Sequence, residues 1–190
     1  MASFTKREIC SSFLRLLNER PMNQITVKMI VEDCGINRNT FYYHYHDLQD
    51  LVEEILTERY EEFSRSYPTI DSLRRAAETS AAFVAEMRRP ILNIYHSVSR
   101  DIFERYLWKV CDRAVRDYGS TISPKEEIDP KDREAIFRFY KYVCFGLIID
   151  WLDEGMHEDI EKFTGRIHKF HEGMPEEMLR RAAEKKHNIS

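Results

Sequence analysis

Glycine and proline are scarce in this chain, six of each in 190 residues. A fold of many strands and tight turns draws on both, glycine for positive φ and proline for a preset φ. Their shortage argues against an all-β architecture. Cysteine is scarce as well: Cys10, Cys34, Cys111 and Cys144 stand far apart and form no Cys-x-x-Cys pair. That spacing speaks against a zinc site or a disulfide framework and fits a reducing compartment. The most apolar stretch, about residues 136–152, is interrupted by Arg138, Lys141 and Asp150, too often for a membrane span. The opening MASFTKREIC has no signal-peptide hydrophobic region, so a cytoplasmic location without membrane attachment is expected.

Positive charge is also in short supply, the net charge being −4. It is unevenly divided. Residues 1–46 hold six Lys and Arg against four acids, a net +2, which leaves −6 for the rest. The asymmetry is that of a small, weakly basic head on an acidic body. Hydrophobic residues at 43% and charged residues at 33% are ordinary for a helix-rich globule, and the length is enough for a sizeable core.

What is present is concentrated in TVKMIVEDCGINRNTFYYHY, residues 26–45. Thr26 is placed to cap a helix, and Val27, Ile30 and Val31 give it a one-sided apolar stripe. Gly35, after Cys34, supplies the left-handed residue that a helix C-terminus favours. Ile36 is placed to fill the gap before Asn37, a second cap, opens a helix to about Tyr45. This is the helix-turn-helix pattern, whose second helix enters the DNA major groove. Phe41 and Tyr45, one turn apart, face inward. Arg38, Asn39, Thr40, Tyr42, Tyr43 and His44 remain for a partner, with Lys28 on the preceding helix. Arg pairs with guanine O6 and N7, Asn with adenine N6 and N7. Hydroxyls and an imidazole suit phosphate oxygens.

The run Thr26…Cys34-Gly35-Ile36-Asn37-Arg38-Asn39-Thr40-Phe41-Tyr42-Tyr43-His44-Tyr45 resembles the DNA-binding signature of the TetR family of bacterial transcriptional regulators. It is most similar to the subset that includes activators of dihydroxyacetone kinase operons. The resemblance covers residues 5–56 and implies a homodimer on a pseudo-palindromic operator in double-stranded DNA. It also implies a phosphate-contacting Lys just before Leu51; Leu48 stands there instead, and His46 replaces it only in part.

The expected architecture is all-α, of about nine helices. Residues 1–48 form the three-helix DNA-binding head and 49–190 a dimerisation and sensing body. Thr5, with Glu8 three residues on, reads as the cap of the first helix. Asp47, with Asp50, reads as the cap of the fourth. Further helices are expected from Asp71 to about Met87, from Pro90 through Val98 inward, and from Ser99 or Asp101 to Tyr118. Gly119 to Pro130 reads as a loop. Residues 131–154 then carry Ile136, Tyr140, Val143, Leu147 and Trp151 on one face and Tyr142, Phe145, Ile149 and Leu152 on another. A helix apolar on two sides is buried on two sides. With Gly146 admitting a close neighbour, and a seam at Ile160, Phe163, Ile167 and Phe170, the dimer interface is expected at Phe145, Gly146, Ile149, Ile160, Phe163, Ile167 and Phe170. Gly146, Trp151, Leu152, Gly155 and Met156 also resemble the end of the same subset's C-terminal domain. Residues 175–190 read as a charged last helix or a frayed tail.

No enzyme constellation is evident, and no cofactor or metal is expected. His168 and His171 have ligand spacing but lack a third ligand. Asp150, Asp153 and Glu154 lack a base, a nucleophile or a phosphate-binding loop. Phe83, Tyr95, His96, Phe103, Tyr106, Phe139 and Tyr142 exceed the aromatic content of a minimal core. Tyr95, His96, Tyr106 and Tyr142 are the candidate effector contacts, although aromatic residues at helical spacing are more often plain core. The body is open to a small-molecule effector or to a protein co-regulator, with an enzyme using a body pocket the weakest alternative.

Overall fold

The computed structural model describes residues 2–66, 87–123, 128–158, 162, 169 and 171–187. Among the described residues the chain is helical and has no strand. In order come α1 (Ala2–Glu19), a 3-10 turn (Met22–Gln24), α2 (Val27–Cys34), α3 (Arg38–His44) and α4 (Leu48–Ser66). Helical residues 87–95 form α5. Then follow α6 (Arg100–Ile122), α7 (Pro130–Asp153) and α8 (Met174–His187). The all-α expectation holds. The helix expected over 71–87 lies outside the described residues except for Met87.

Two compact units divide the chain, Met1–Ser64 with Ala82–Tyr106, and Arg65–Ala81 with Leu107–Ser190. The first is built on α1, whose Ile9, Phe13, Leu16 and Leu17 are buried with Ile30 and Val31 of α2 and Phe41 of α3. Side chains of this size each contribute about 1.5–3 kcal/mol when buried. Leu51, Val52, Ile55 and Leu56 of α4 are buried too, so this packing unit reaches past residue 48. Thr5 lies within α1 and not at its start, a correction to its expected capping role: the helix continues N-terminally through Ala2.

The C-terminus of α1 is completed by α5. The last carbonyls of a helix have no partner within it. Asn93 Nδ2 donates to the carbonyls of Leu17 at 2.7 Å and Arg20 at 3.3 Å, and Arg89 donates to that of Asn18 at 3.4 Å. Val98 is 78% exposed and corrects the expectation that it points inward. It lies in the turn after α5, beyond the reach of that helix's apolar stripe.

The second unit rests on α6, α7 and α8. Ile128, Ile136, Phe137, Leu179, Ala182 and Ala183 form its buried cluster, edged by Val115, Ile122, Tyr140 and Met178. Residues 174–187 are therefore a docked helix, and their apolar positions recur at i, i+3 and i+4 among the charges. Asp129 caps α7, accepting from the Lys131 N–H at 2.7 Å, and Pro130 occupies the first turn, where a missing N–H costs nothing. The other end closes on Gly155 (φ 74°), with Gly155 N–H to Leu152 O at 2.9 Å and Met156 N–H to Trp151 O at 2.8 Å. Gly155-Met156 thus ends the helix close to the expected boundary at residue 154.

Gly119 does not end α6, which runs on to Ile122. A Cβ at Gly119 would lie 2.2 Å from the Phe137 ring, so the absence of a side chain here is what lets that ring of α7 pack onto α6. Gly146 is the reverse: a Cβ there meets nothing within 4 Å in the chain. Gly119→Ala should therefore lower stability by about 1–3 kcal/mol through overpacking. Gly146→Ala should cost less, because no atom of the same chain stands in the way of a Cβ there. Urea denaturation of the two variants reads both, and equal stabilities would contradict the contrast.

Candidate nucleic-acid interface

The helix-turn-helix is fixed by local chemistry at each joint. Thr26 Oγ1 accepts from the Met29 N–H at 3.3 Å to open α2. Gly35, at φ 67°, ends it. Its N–H reaches Glu32 O at 3.4 Å and the Ile36 N–H reaches Val31 O at 3.0 Å, the paired closure of a Schellman motif. Asn37 Oδ1 then accepts from the Thr40 N–H at 2.8 Å. A seven-residue helix is unstable alone; α3 is held by this cap and by Phe41 and Tyr45, both buried and 5.7 Å apart between ring centroids. Cys10 Sγ lies 3.7 Å from the Tyr45 hydroxyl. The Lys6 ammonium sits 5.5 Å from the centre of the Tyr45 ring and donates to Glu54 at 2.7 Å. Burial pushes the Tyr45 phenol well above its ordinary pKa, so it stays neutral across the physiological range.

With those two rings turned in, the rest of α3 is presented outward. Tyr43 is 82% and Tyr42 53% exposed, and Arg38 and Asn39 are exposed. Tyr42 is steadied by an edge contact with Phe41 at 5.5 Å, and Tyr43 by His44 at 5.0 Å. Thr40 and His44 are half-buried. The Thr40 hydroxyl donates to Asn37 Oδ1 at 3.0 Å, leaving its oxygen lone pairs and methyl for a groove. Lys28 is exposed and lies 3.6 Å from Glu32, an open pair that a phosphate would replace at little cost.

The N-terminus of α4 is closed to anions by its own acids. Asp47 Oδ1 accepts from the Asp50 N–H at 2.9 Å, and Asp50 Oδ2 accepts from the His46 N–H at 3.0 Å. Asp47 thus caps α4 as expected, and Asp50 reaches back one residue further, to His46. Leu48 is half-buried in that first turn.

Of the candidate effector residues, Tyr95 and His96 lie 5.1 Å apart between ring centroids, and Phe103 links Tyr95 to Tyr106 at 5.9 and 6.2 Å. Tyr95 is fully buried, its hydroxyl accepts from Arg100 at 2.6 Å, and that guanidinium stacks 4.2 Å from the ring centre. His96, next in the chain, is exposed. Tyr106 is half-buried, its phenol pushed up by desolvation. Tyr95, His96 and Tyr106 belong to the first unit and Tyr142 to the second. Of the other aromatics, Phe103 is buried and Phe83 lies outside the described residues.

Along α7 an outward stripe runs through Ala135, Phe139, Tyr142 and Gly146, all exposed, with Phe145 and Ile149 half-buried beside it. Phe139 and Tyr142 are 51% and 58% exposed and line an open groove of about 600 Å³ with Pro130, Lys131, Glu134, Ala135 and Arg138. The opposite side of α7 is packed at Ile136, Phe137 and Trp151. Ile160, Phe163, Ile167 and Phe170 lie outside the described residues, as does His168.

These arrangements meet their counterparts in known proteins. Residues 11–55 match the family described as bacterial regulatory proteins, tetR family. Residues 71–173 match the one described as transcriptional regulator C-terminal region. The chain belongs to the TetR family. The helix-turn-helix geometry above is thus the TetR head, and α6 and α7 fall within the matched C-terminal region. An uncharacterized HTH-type transcriptional regulator, YxbF of Bacillus subtilis (strain 168), is 22% identical over 179 residues. The match takes in 88% of this chain but only 44% of that relative's length. Among solved structures, the dihydroxyacetone kinase operon activator DhaS superposes with a TM-score of 0.66 at 16% identity, covering 94% of this chain and 96% of DhaS. Native NalD, the secondary repressor of the MexAB-OprM multidrug efflux pump in Pseudomonas aeruginosa, gives 0.53 at 16% identity, covering 88% and 96%. At such identity the likeness establishes the fold. Among the described residues no helix is long and apolar enough to cross a membrane.

The cap of α3 is the most direct lever on this TetR head. Asn37→Ala removes the acceptor for both the Thr40 N–H and its hydroxyl and should cost about 1 kcal/mol of stability. Asn37→Asp retains an acceptor and should cost less. Thermal melts of the two variants test the ranking.

Proposed function

We propose that this TetR-family chain is a sequence-specific transcriptional regulator that reads double-stranded DNA with Arg38, Asn39, Thr40, Tyr42, Tyr43 and His44, assisted by Lys28. The carrying observation is the exposure of Tyr42 and Tyr43 on a short helix locked at both ends. Arg38 and Asn39 are the base readers in this reading, and the tyrosine hydroxyls and Lys28 hold phosphates. Its setting is the cytoplasm. With Leu48 and two carboxylates at the start of α4, phosphate contact falls to α2 and α3.

Selection of bound sequences from random DNA supplies the operator for the test. On it, Arg38→Ala should lose about 1–3 kcal/mol of affinity and relax preference at one base pair. Tyr42→Phe should weaken all sequences alike. A folded double variant that binds its operator like the parent chain would refute the assignment.

The reading includes a homodimer through the exposed α7 stripe, with Phe145, Gly146 and Ile149 at its centre and Ile160, Phe163, Ile167 and Phe170 contributing from the following segment. A stripe with Phe139 and Tyr142 more than half exposed is what a two-fold partner would cover. Two heads then require half-sites one helical turn, or a multiple of it, apart. Light scattering should give a dimer at micromolar concentration and a smaller species for Gly146→Arg. A monomeric parent chain would contradict the dimer.

The body completes the proposal as the sensor. A small-molecule effector is the first reading, with Tyr95, His96, Tyr106 and Tyr142 its candidate contacts. A protein co-regulator is the second, favoured by the close packing of Tyr95 under Arg100. Effector sensing requires that alanine at Tyr106 or His96 alter induction while operator affinity stays intact. Co-regulator sensing requires the sensitive positions to be surface ones, such as Arg138.

A further inference from the structure

Within the second unit, α6 and α7 pack antiparallel in a register that several contacts fix. The Trp108 ring lies 5.1 Å from Phe145 and 4.9 Å from Tyr142. Lys141 Nζ reaches Asp112 at 3.0 Å, Arg116 reaches Glu134 at 3.0 Å, and Gly119 faces Phe137. Between the Trp108–Phe145 and Asp112–Lys141 contacts, this register sets Cys111 opposite Cys144, near enough for each thiol to act on the other. Both are free cysteines; Cys111 is buried and Cys144 half-buried. At about 100° per residue, Cys144 stands across α7 from Tyr142 and Gly146, so a partner on that stripe would leave it uncovered. The DNA-reading head uses neither thiol.

We propose that Cys111 and Cys144 are an oxidisable dithiol that closes to an intramolecular disulfide when the chain meets a hydroperoxide. Cys144 is the attacking sulfur, being the more accessible of the two. The neighbouring Cys111 thiol also draws the pKa of Cys144 down from the ordinary thiol value. The thiolate, not the thiol, is the nucleophile. The Cys144 thiolate attacks one peroxide oxygen and the O–O bond breaks. Cys144 becomes a sulfenic acid, and the second oxygen leaves as hydroxide, which takes up a proton to give water. Cys111 then gives up its proton and attacks the sulfenic sulfur, forming the S–S bond as the S–O bond breaks and a second water leaves. Two thiols and one hydroperoxide thus give one disulfide and, for hydrogen peroxide, two waters. Cys10 and Cys34 differ, their sulfurs lying against oxygens, the Tyr45 hydroxyl at 3.7 Å and the Glu8 carbonyl at 3.5 Å.

The test needs no operator and is independent of the DNA-binding reading. The reduced full-length chain is treated with hydrogen peroxide, alkylated under denaturing conditions and digested without reductant for mass spectrometry. The expected product is a peptide pair linked through Cys111 and Cys144 that dithiothreitol separates. The Tm of the oxidised chain should exceed that of the reduced chain, because the cross-link restricts the unfolded ensemble. Cys144→Ser should lose both the linked peptide and the Tm shift. Cys111→Ser should leave Cys144 as a sulfenic acid that dimedone traps. The proposal fails if both wild-type thiols stay alkylatable after the same peroxide has consumed a small free thiol. It fails equally if the cross-link forms through Cys10 or Cys34, or between chains.

Discussion

The burial of Phe41 and Tyr45 one turn apart is the constraint on which the head depends. α3 has only seven residues, far below the length at which a helix persists by itself. Its conformation is borrowed from α1 and α2 through those two rings and from the Asn37 cap. Because the inward positions are fixed by packing, the outward ones are fixed as well. The presentation of Arg38, Asn39, Tyr42 and Tyr43 is thus a by-product of core formation. A head of weak net positive charge still presents a defined outward surface, set by packing and not by the field around it.

The same logic shows which parts were legible in the sequence. Thr26, Gly35, Asn37, Asp47 and Asp50 act on backbone groups within a few residues, so their roles follow from residue type and spacing alone. Tertiary neighbours decided the others. Gly119 reads as a helix stop by composition, yet it lies inside α6 because Phe137 of another helix occupies the space a side chain would take. The last helix reads as charged, and its Leu179, Ala182 and Ala183 are few, but they suffice once α7 offers a matching surface. Thr5 has the sequence of a cap and lies within a helix, because nothing before it ends α1.

The candidate sites divide along the same line. The proposed DNA-facing residues, apart from Lys28, fall within Arg38–His44, and one short helix displays them together. The proposed effector residues come from separate stretches of the chain, where sequence supplies helical phase but no depth. Phase does not tell that Tyr95 is sealed under Arg100 while His96 beside it is in solvent. On α7, phase was enough to separate two apolar faces, and the structure adds that Phe139 and Tyr142 on the outer one are more than half exposed.

Asn93 carries a consequence for synthesis. The carbonyls of Leu17 and Arg20 find their donor more than seventy residues downstream. A ribosome adds residues at about 5–20 per second, so the end of α1 waits several seconds for that amide to emerge. During this interval the nascent head holds its helices without its final clasp, and a chain arrested before Asn93 would display an incompletely closed DNA reader. The order of translation therefore makes completion of the head conditional on the arrival of the next part of the protein.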